Sequence, residues 1–232
     1  MKQREHNIPS PTTRESPSLL FASILTVAVL AGAAYGRNAV WHDEIRLWED
    51  AVKKSPTNAR AHYNLGRRYE ADGRLGEADG EYRIAISLKP DYLEPHNNLG
   101  NMYLNAGLKE KALVELLTAA RLDPEAPLVH DNLGYLYFLQ GKFDDALREY
   151  HTAVKLSPKT PEIHNNLGYV YFTLGRHEEA LQEYQTALRL KPDFDAARYN
   201  LELLYRSRQE SSAAPGGHPT VRPGGHSRTG GL

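Results

Sequence analysis

The apolar positions of the chain change from a continuous run to a helical spacing shortly after residue 36. Residues 16–36 contain no Asp, Glu, Lys, Arg or His. Between residues 59 and 194 apolar residues instead recur three and four positions apart, as in Pro127 to Gln140 and Phe143 to Ser157. That spacing is typical of amphipathic helices. The chain therefore divides into one apolar segment and a long series of short helices.

The apolar segment, residues 16–36, predicts a membrane anchor. A helix of this length would measure about 31 Å, against about 30 Å for the hydrocarbon core of a bilayer. The alternative is a cleaved signal peptide, because Ala31-Gly32-Ala33 fits a small-x-small cleavage site. The run exceeds the roughly 7–15 residues of a signal-peptide core, which favours the anchor. Three small residues on one side of the helix could pack a second copy into a homodimer: Ala28, Gly32 and Gly36.

The helical region repeats itself every 34 residues. Four segments align in register: ARAHYNLGRRY, LEPHNNLGNMY, PLVHDNLGYLY and PEIHNNLGYVY. The second half of each segment carries two small residues: Ala78 and Ala85, Ala112 and Ala119, Ala146 and Ala153, and Ala180 and Ala187. Each segment closes with a proline: Pro90, Pro124, Pro158 and Pro192. Because proline disfavours helical geometry in the residue before it, these prolines predict the end of each second helix.

A 34-residue period with L-G-x-x-Y, A-x-x-x-[YL] and a late proline is the signature of the tetratricopeptide-repeat (TPR) family, which the chain resembles over four full units. The resemblance implies two antiparallel helices per unit. Neither helix can bury its apolar face alone, so the units are expected to stack. The predicted fold is all-α: a right-handed TPR superhelix (an α-solenoid) with an N-terminal transmembrane helix.

The predicted organisation has nine segments. They are a disordered leader (1–15), the anchor (16–36), a linker with an N-terminal capping helix (37–58), four TPR units (59–92, 93–126, 127–160 and 161–194), a C-terminal capping helix (195–208) and a disordered tail (209–232). The capping assignments rest on Trp48, Ala51 and Pro56, which have the spacing of a second TPR helix, and on the polar outer face that the last helix of an array needs.

Composition excludes several functional classes. The formal net charge is −1 and no concentrated basic run occurs, so nucleic acid is not an expected partner. The chain has no cysteine, which removes disulfides and thiolate chemistry. Neither a phosphate-binding glycine loop nor a nucleophile motif is present. We therefore expect a protein that is not an enzyme and needs no cofactor.

Four histidines recur at the repeat spacing and raise the question of a metal site: His62, His96, His130 and His164. Equivalent residues of neighbouring units should lie roughly 10 Å apart, as packed helices do. Zinc ligands must all lie about 2 Å from one ion. We therefore favour a packing or groove-edge role over metal binding.

An asparagine recurs with the same period: Asn64, Asn98, Asn132, Asn166 and Asn200. We call these five residues the asparagine ladder. It is similar to the ladder of O-linked N-acetylglucosamine transferase, which grips the backbone of an extended peptide. The resemblance implies that the ladder lines a concave groove, with its side chains pointing into the groove and not between helices. The alternative is that this asparagine belongs to the TPR consensus and only tolerates solvent.

The same resemblance assigns further residues to the groove. They are Tyr63, Arg67, Asn97 and Asn101 in the first two units, and Tyr135, Phe138, Tyr169 and Phe172 in the last two. The first half of the groove is thus predicted to be polar and cationic, and the second half aromatic. Aromatic side chains are common interface anchors. The TPR domains that clamp a terminal carboxylate use cations where this chain has Tyr63 and Glu162, so we do not expect that activity.

The segment from Arg37 to Gly66 resembles the junction at which multi-pass transmembrane-and-TPR proteins leave their last membrane helix. Those proteins include membrane glycosyltransferases with repeats outside the cytoplasm. The sequence therefore predicts a membrane-anchored scaffold or adaptor that binds extended polypeptides in the groove. The alternative is the non-catalytic substrate-recognition module of a glycosyltransferase system, or a shortened relative of such a protein. If residues 16–36 are cleaved, the repeats would be secreted.

We predict that the repeats lie outside the cytoplasm. Lys2, Arg4 and Arg14 precede the anchor, and Arg37 and Arg46 follow it at comparable distance. Positive charge favours the cytoplasmic side, so this small excess places the N-terminus inside. Protease added to intact cells or spheroplasts should digest the repeats. Full protection of the repeats until the membrane is permeabilised would show the opposite orientation.

Overall fold

A computed structural model describes residues 44–213, with side chains through residue 210, and all of the regular structure in that range is helical. Ten helices follow one another there: α1 (Glu44–Lys54), α2 (Ala59–Ala71), α3 (Leu75–Leu88), α4 (Leu93–Asn105), α5 (Lys109–Leu122), α6 (Pro127–Leu139), α7 (Phe143–Leu156), α8 (Pro161–Thr173), α9 (His177–Leu190) and α10 (Asp195–Ala213). The predicted leader and anchor lie outside the described residues, as do parts of the predicted linker and tail.

Each predicted unit contains one pair of helices joined by a tight turn. In the third unit α6 and α7 are joined at Gly141, whose φ of +73° is a left-handed conformation that favours glycine. The next helix pair begins after a short linker that contains the unit's closing proline. Pro158, for example, lies two residues beyond the end of α7 at Leu156. The glycine and the proline that recur in every unit therefore determine where the helices end.

Within a unit the two helices approach at a glycine. A Cβ atom placed on Gly134 of α6 would lie 2.9 Å from Cδ2 of Tyr150 on α7, closer than carbon atoms pack. Ala146 and Ala153, which flank Tyr150 along α7, are fully buried. Small residues therefore allow the close approach, and one large ring fills the space beside them.

Between units, the helices stack with a consistent side inward. From the second unit onward, the first helix of a unit contacts the next first helix: α4 with α6, α6 with α8, and α8 with α10. Each second helix contacts the first helix of the following unit, as α3 does α4 and α7 does α8. Because elements that lie closer together take the inner side of a curved stack, the first helices line the concave face. We call this face the groove.

Both ends of the described array are closed by single helices. On α1, Ile45, Trp48 and Val52 pack against the core of the first units, and Glu49 accepts a hydrogen bond of 2.9 Å from the Tyr69 hydroxyl on α2. At the other end, α10 buries Ala197 and Leu204 completely against the fourth unit.

The last helix extends further than the sequence predicted. We placed the end of the capping helix at residue 208, whereas α10 continues to Ala213. Residues 209–213 contain no helix breaker, and the first proline after the cap is Pro215. Glycine and proline, and not polarity alone, are the residues that oppose a helix here. Within residues 44–213 no helix is long and apolar enough to cross a membrane.

We predict that Gly134→Leu loosens the third unit. The added side chain meets the Tyr150 ring, and overpacking of this kind typically costs about 1–3 kcal/mol. Gly76→Leu is the matched control, because nothing lies within 4 Å of a Cβ at that helical position. The control should gain helix propensity without a clash. Free energies of unfolding from urea titrations measure both effects.

Hydrogen exchange locates the damage from Gly134→Leu. Because each unit contacts only its neighbours, exchange should rise first in α6, α7 and the helices beside them. An even rise over residues 59–208 would contradict this nearest-neighbour picture.

Candidate peptide-binding groove

The asparagine ladder runs along the first helices and joins one unit to the next. The side-chain amide of Asn132 donates to Oδ1 of Asn97 in the preceding unit, at 2.9 Å. Asn166 donates to Oδ1 of Asp131 at 2.8 Å. Asn200 of α10 donates to Oδ1 of Asn165 at 2.9 Å. Three successive junctions therefore carry the same hydrogen bond, from one ladder asparagine to the residue 35 positions earlier.

The first junction is built differently. The residue 35 positions before Asn98 is Tyr63, which has no side-chain amide or carboxylate to accept the bond. Asn98 donates to the hydroxyl of Tyr82, at 3.4 Å, and also hydrogen-bonds with the Tyr63 hydroxyl. Asn64 starts the ladder on α2 and is half-buried.

These contacts correct one expectation. The sequence predicted ladder side chains that point into the groove and not between helices. Four of the five instead bond across a helix interface: Asn98, Asn132, Asn166 and Asn200. For the last three, the reason is the residue just before the ladder asparagine of the preceding unit. That residue is Asn97, Asp131 or Asn165, and each offers a side-chain oxygen that accepts the hydrogen bond. Their recurrence beside the ladder was visible in the sequence.

The first half of the groove combines aromatic rings with a cation and a half-buried acid. The guanidinium of Arg67 lies 5.8 Å from the centre of the Tyr63 ring, and the Tyr92 ring lies 5.3 Å from Tyr63 on the other side. The Tyr82 hydroxyl donates to Glu70 at 2.5 Å. Burial raises the pKa of Glu70, while the Tyr82 hydrogen bond and Arg67 act against that shift. This half of the groove is therefore polar and internally paired.

The second half of the groove is aromatic, but its rings differ in accessibility. Tyr135 and Phe138 on α6 are half-buried, and Phe138 meets Tyr169 edge to face at 5.4 Å. Tyr169 and Phe172 on α8 are only 7% and 6% exposed. They therefore form the wall of the groove and do not project from it.

Two further predicted groove residues lie on α4. Asn97 is the acceptor for Asn132, so it takes part in the ladder junctions. Asn101 is half-buried one helical turn further along. Tyr199 of α10 was not predicted as a groove residue. In the repeat register it stands at the position of Tyr63, and it is 58% exposed. Carrying the repeat register into the capping helix would have found it.

The four histidines connect three parts of each unit. In every unit the ring Nδ1 lies within hydrogen-bond distance of a glutamate on the second helix, at 2.6, 2.7, 2.8 and 2.6 Å in chain order. The ring Nε2 lies 2.9, 3.2, 2.8 and 3.0 Å from the carbonyl oxygen of the proline before the unit. The glutamates also recur with the repeat: Glu81, Glu115, Glu149 and Glu183. We call each such arrangement a histidine clasp.

The clasp explains why histidine occupies this position. Histidine has two ring nitrogens that point in different directions, so one side chain can pair with a carboxylate on one side and a carbonyl oxygen on the other. Each clasp fastens the first helix to the second helix and to the preceding linker. Within residues 44–213 no group of three or more His, Cys, Asp or Glu side chains could hold a metal ion.

Stacked helix pairs with a concave face of amides and aromatic rings define an α-solenoid, the class of repeat fold that presents a long binding surface. Family models agree. The model described as "Tetratricopeptide repeat" matches residues 45–92 and 66–127, and the model described as "TPR repeat" matches residues 134–175 and 168–206. The chain belongs to the tetratricopeptide-repeat family.

Curated relatives match a short part of the chain. Protein O-mannosyl-transferase F38B6.6 of Caenorhabditis elegans is 36% identical over 70 residues, which are 30% of this chain and 10% of that protein. Protein O-mannosyl-transferase TMTC1 of Mus musculus is 30% identical over 73 residues, or 32% of this chain and 8% of that protein. The matching segments thus span a tenth or less of these relatives.

Solved TPR structures share the fold. The structure of TTC0263, a thermophilic TPR protein of Thermus thermophilus, has a TM-score of 0.62 and 27% identity, and the match covers 76% of this chain and 96% of that one. The APC/C hetero-tetramer Cut9-Hcn1 has a TM-score of 0.66 at 20% identity, over 71% of this chain and 33% of that one. MamA has a TM-score of 0.56 at 24% identity, over 62% and 85%.

We predict that the fourth clasp stabilises the fold less at high pH. The hydrogen bond to Glu183 raises the pKa of His164; burial opposes this, the Pro158 carbonyl supports it, and Arg189 opposes it. A pKa raised on folding contributes stability fully below the unfolded value of about 6.5. That contribution is lost as pH rises through the folded pKa. The stability difference between the wild type and Glu183→Gln should therefore shrink from about pH 6 to about pH 9.

Urea titrations at each pH measure this difference, and Glu210→Gln on the exposed side of α10 is the control. The control should leave the pH profile of the wild type unchanged. A constant gap between the wild type and Glu183→Gln at every pH would show that His164 is not charged in the clasp.

Proposed function

We propose that this chain is a membrane-anchored scaffold that binds extended polypeptide segments in the groove. The observation that carries the proposal is the line of ladder amides, with one asparagine at every step from α2 to α10. A primary amide has two N–H donors and an oxygen with two lone pairs. The inter-unit bond of Asn166 or Asn200 uses one N–H, so each of these two side chains keeps further capacity.

A ladder of amides suits a peptide main chain. Each peptide unit offers one N–H and one C=O whatever side chain it carries, so amides recognise extended backbone with little sequence preference. The rings of Tyr135 and Phe138 beside the ladder would add contacts with apolar side chains. Affinity then comes from many modest bonds, each of about 0.5–1.5 kcal/mol.

The anchor places the scaffold. Residues 16–36 would hold the array at a membrane, with the repeats outside the cytoplasm. Only residues 37–43 separate this segment from the start of α1 at Glu44. A scaffold tethered in this way concentrates its partner at the membrane surface.

One alternative has a specific observation in its favour. The curated relatives that match are named as protein O-mannosyl-transferases, and the matches are 36% and 30% identical over 70 and 73 residues. The chain could therefore serve as the non-catalytic substrate-recognition module of a glycosyltransferase system. Detergent-solubilised full-length chain that co-purifies with a glycosyltransferase and its acceptors would favour this alternative over a general scaffold.

We predict that the ladder determines peptide affinity. The probe is an array of N-acetylated, C-amidated 12-residue peptides of random sequence, read with full-length chain in detergent. Asn98→Ala, Asn132→Ala and Asn166→Ala combined should weaken binding by a few kcal/mol if the effects are roughly additive. Because the same amides join units, the triple variant should also be less stable, so circular dichroism must confirm its fold at the assay temperature.

The control removes two amides from the outer surface. Gln182 and Gln185 are exposed on α9, and their alanine variants should bind as the wild type does. If the triple variant unfolds, Asn166→Ala alone takes its place, with an expected loss of about two- to tenfold. A folded variant with full affinity would return the ladder to a purely structural role.

A further inference from the structure

The hydroxyl of Tyr184 stands out among the buried polar atoms of the array. The side chain is fully buried on α9, and its oxygen has no hydrogen-bond partner within the described part of the chain. Burial raises the pKa of this hydroxyl, so it remains a neutral O–H. A buried hydroxyl without a partner is costly, and such groups in native structures usually have a reason.

The equivalent residue of the first unit shows where this hydroxyl lies. A Cβ on Gly66 would lie 2.8 Å from both Cδ1 and Cε1 of Tyr82, and a Cβ on Gly168 would lie 2.8 Å from the same two atoms of Tyr184. The two rings therefore occupy the same place in their units. The hydroxyl of Tyr82 reaches the groove side, where it donates to Glu70 and accepts from Asn98.

Tyr184 has lost both of these partners for identifiable reasons. Phe172 stands at the position of Glu70 and offers no oxygen. Asn200 stands at the position of Asn98, but its amide donates to Asn165. At the fourth junction Asn200 thus has Asn165 as its acceptor, and the Tyr184 ring stands where Tyr82, which accepts from Asn98, stands in the first unit.

We propose that Asn200 is a two-position donor that bonds Asn165 in the free protein and turns to the Tyr184 hydroxyl when a peptide is bound. The inference rests on the proposed function of the groove. A main-chain N–H of the ligand donates to Oδ1 of Asn165. The Asn200 amide then donates to the Tyr184 hydroxyl, as Asn98 donates to the Tyr82 hydroxyl in the first unit. The hydroxyl of Tyr184 is a positioning residue and need not touch the ligand.

The exchange makes peptide binding at this junction less costly than elsewhere. A ligand that displaces a ladder amide from its acceptor normally leaves that amide unpaired, which offsets the bond gained. With a second acceptor beneath it, Asn200 keeps a partner and the ligand bond is a net gain. The junction of Asn97 and Asn132 lacks this option, because Leu116 occupies the place of the tyrosine. The last junction is therefore a preferred peptide contact over the junction of Asn97 and Asn132.

Tyr184→Phe in the full-length chain separates this role from a structural one. The variant removes only an oxygen that has no partner in the free protein, so the urea midpoint should stay the same or rise. Affinity for the 12-residue peptide array should fall about two- to tenfold, the equivalent of one hydrogen bond. Tyr82→Phe is the matched control: it leaves the Glu70 carboxylate without its donor and should lower the urea midpoint.

Each other outcome is decisive. Tyr184→Phe with lower stability and unchanged affinity would show a hydroxyl already paired, for example with a buried water, and would overturn the inference. Unchanged affinity at unchanged stability would overturn it as well, while wild-type binding that depends on the ladder would leave the proposed function standing. A wild-type chain that binds no peptide on the array would overturn both.

Discussion

The approach of the two helices at the glycine of each unit is the constraint on which the rest of the structure depends. A Cβ added at Gly66, Gly100, Gly134 or Gly168 would lie 2.7–2.9 Å from a side-chain atom of the second helix. The spacing leaves no room for any side chain, so the facing residue is free to be large, and it is Tyr82, Leu116, Tyr150 or Tyr184. That one contact sets the helix pair. The stacking of pairs, the curvature and the groove follow from its repetition.

Polar side chains supply the connections that apolar packing leaves unspecified. The histidine clasp fixes the linker before a unit to both helices of that unit, as His164 does with Pro158 and Glu183. The ladder fixes first helices to one another from the second unit onward. Apolar contacts are non-directional, whereas a hydrogen bond specifies register. The clasps and the ladder thus add specific register to the stacking that the glycine contacts make possible.

Much of this arrangement could be read from the sequence, because the repeat supplies the same information four times. The period predicted the helix pairs, the turn at Gly141 and the capping role of α1. What could not be read is which polar side chains face each other, since that depends on the rotation between units. To predict the clasp, one would have to know that Glu183 lies beside His164 across a helix interface. To predict the ladder bonds, one would have to know that Asn165 and Asn200 are neighbours although they lie 35 positions apart in the sequence. The predicted end of α10, at residue 208, was too early because the polar residues after it were assigned to a disordered tail.

The ladder side chains join the units at the groove, so the residues proposed to bind a ligand also hold neighbouring units together. Any ligand that uses the acceptor oxygens of Asn97 or Asn165 competes with the bonds that hold adjacent first helices together. Such a ligand would therefore replace a hydrogen bond between units with hydrogen bonds to itself. A TPR array built in this way has its closest apolar packing within its units, whereas directional hydrogen bonds of the ladder join the units along the groove.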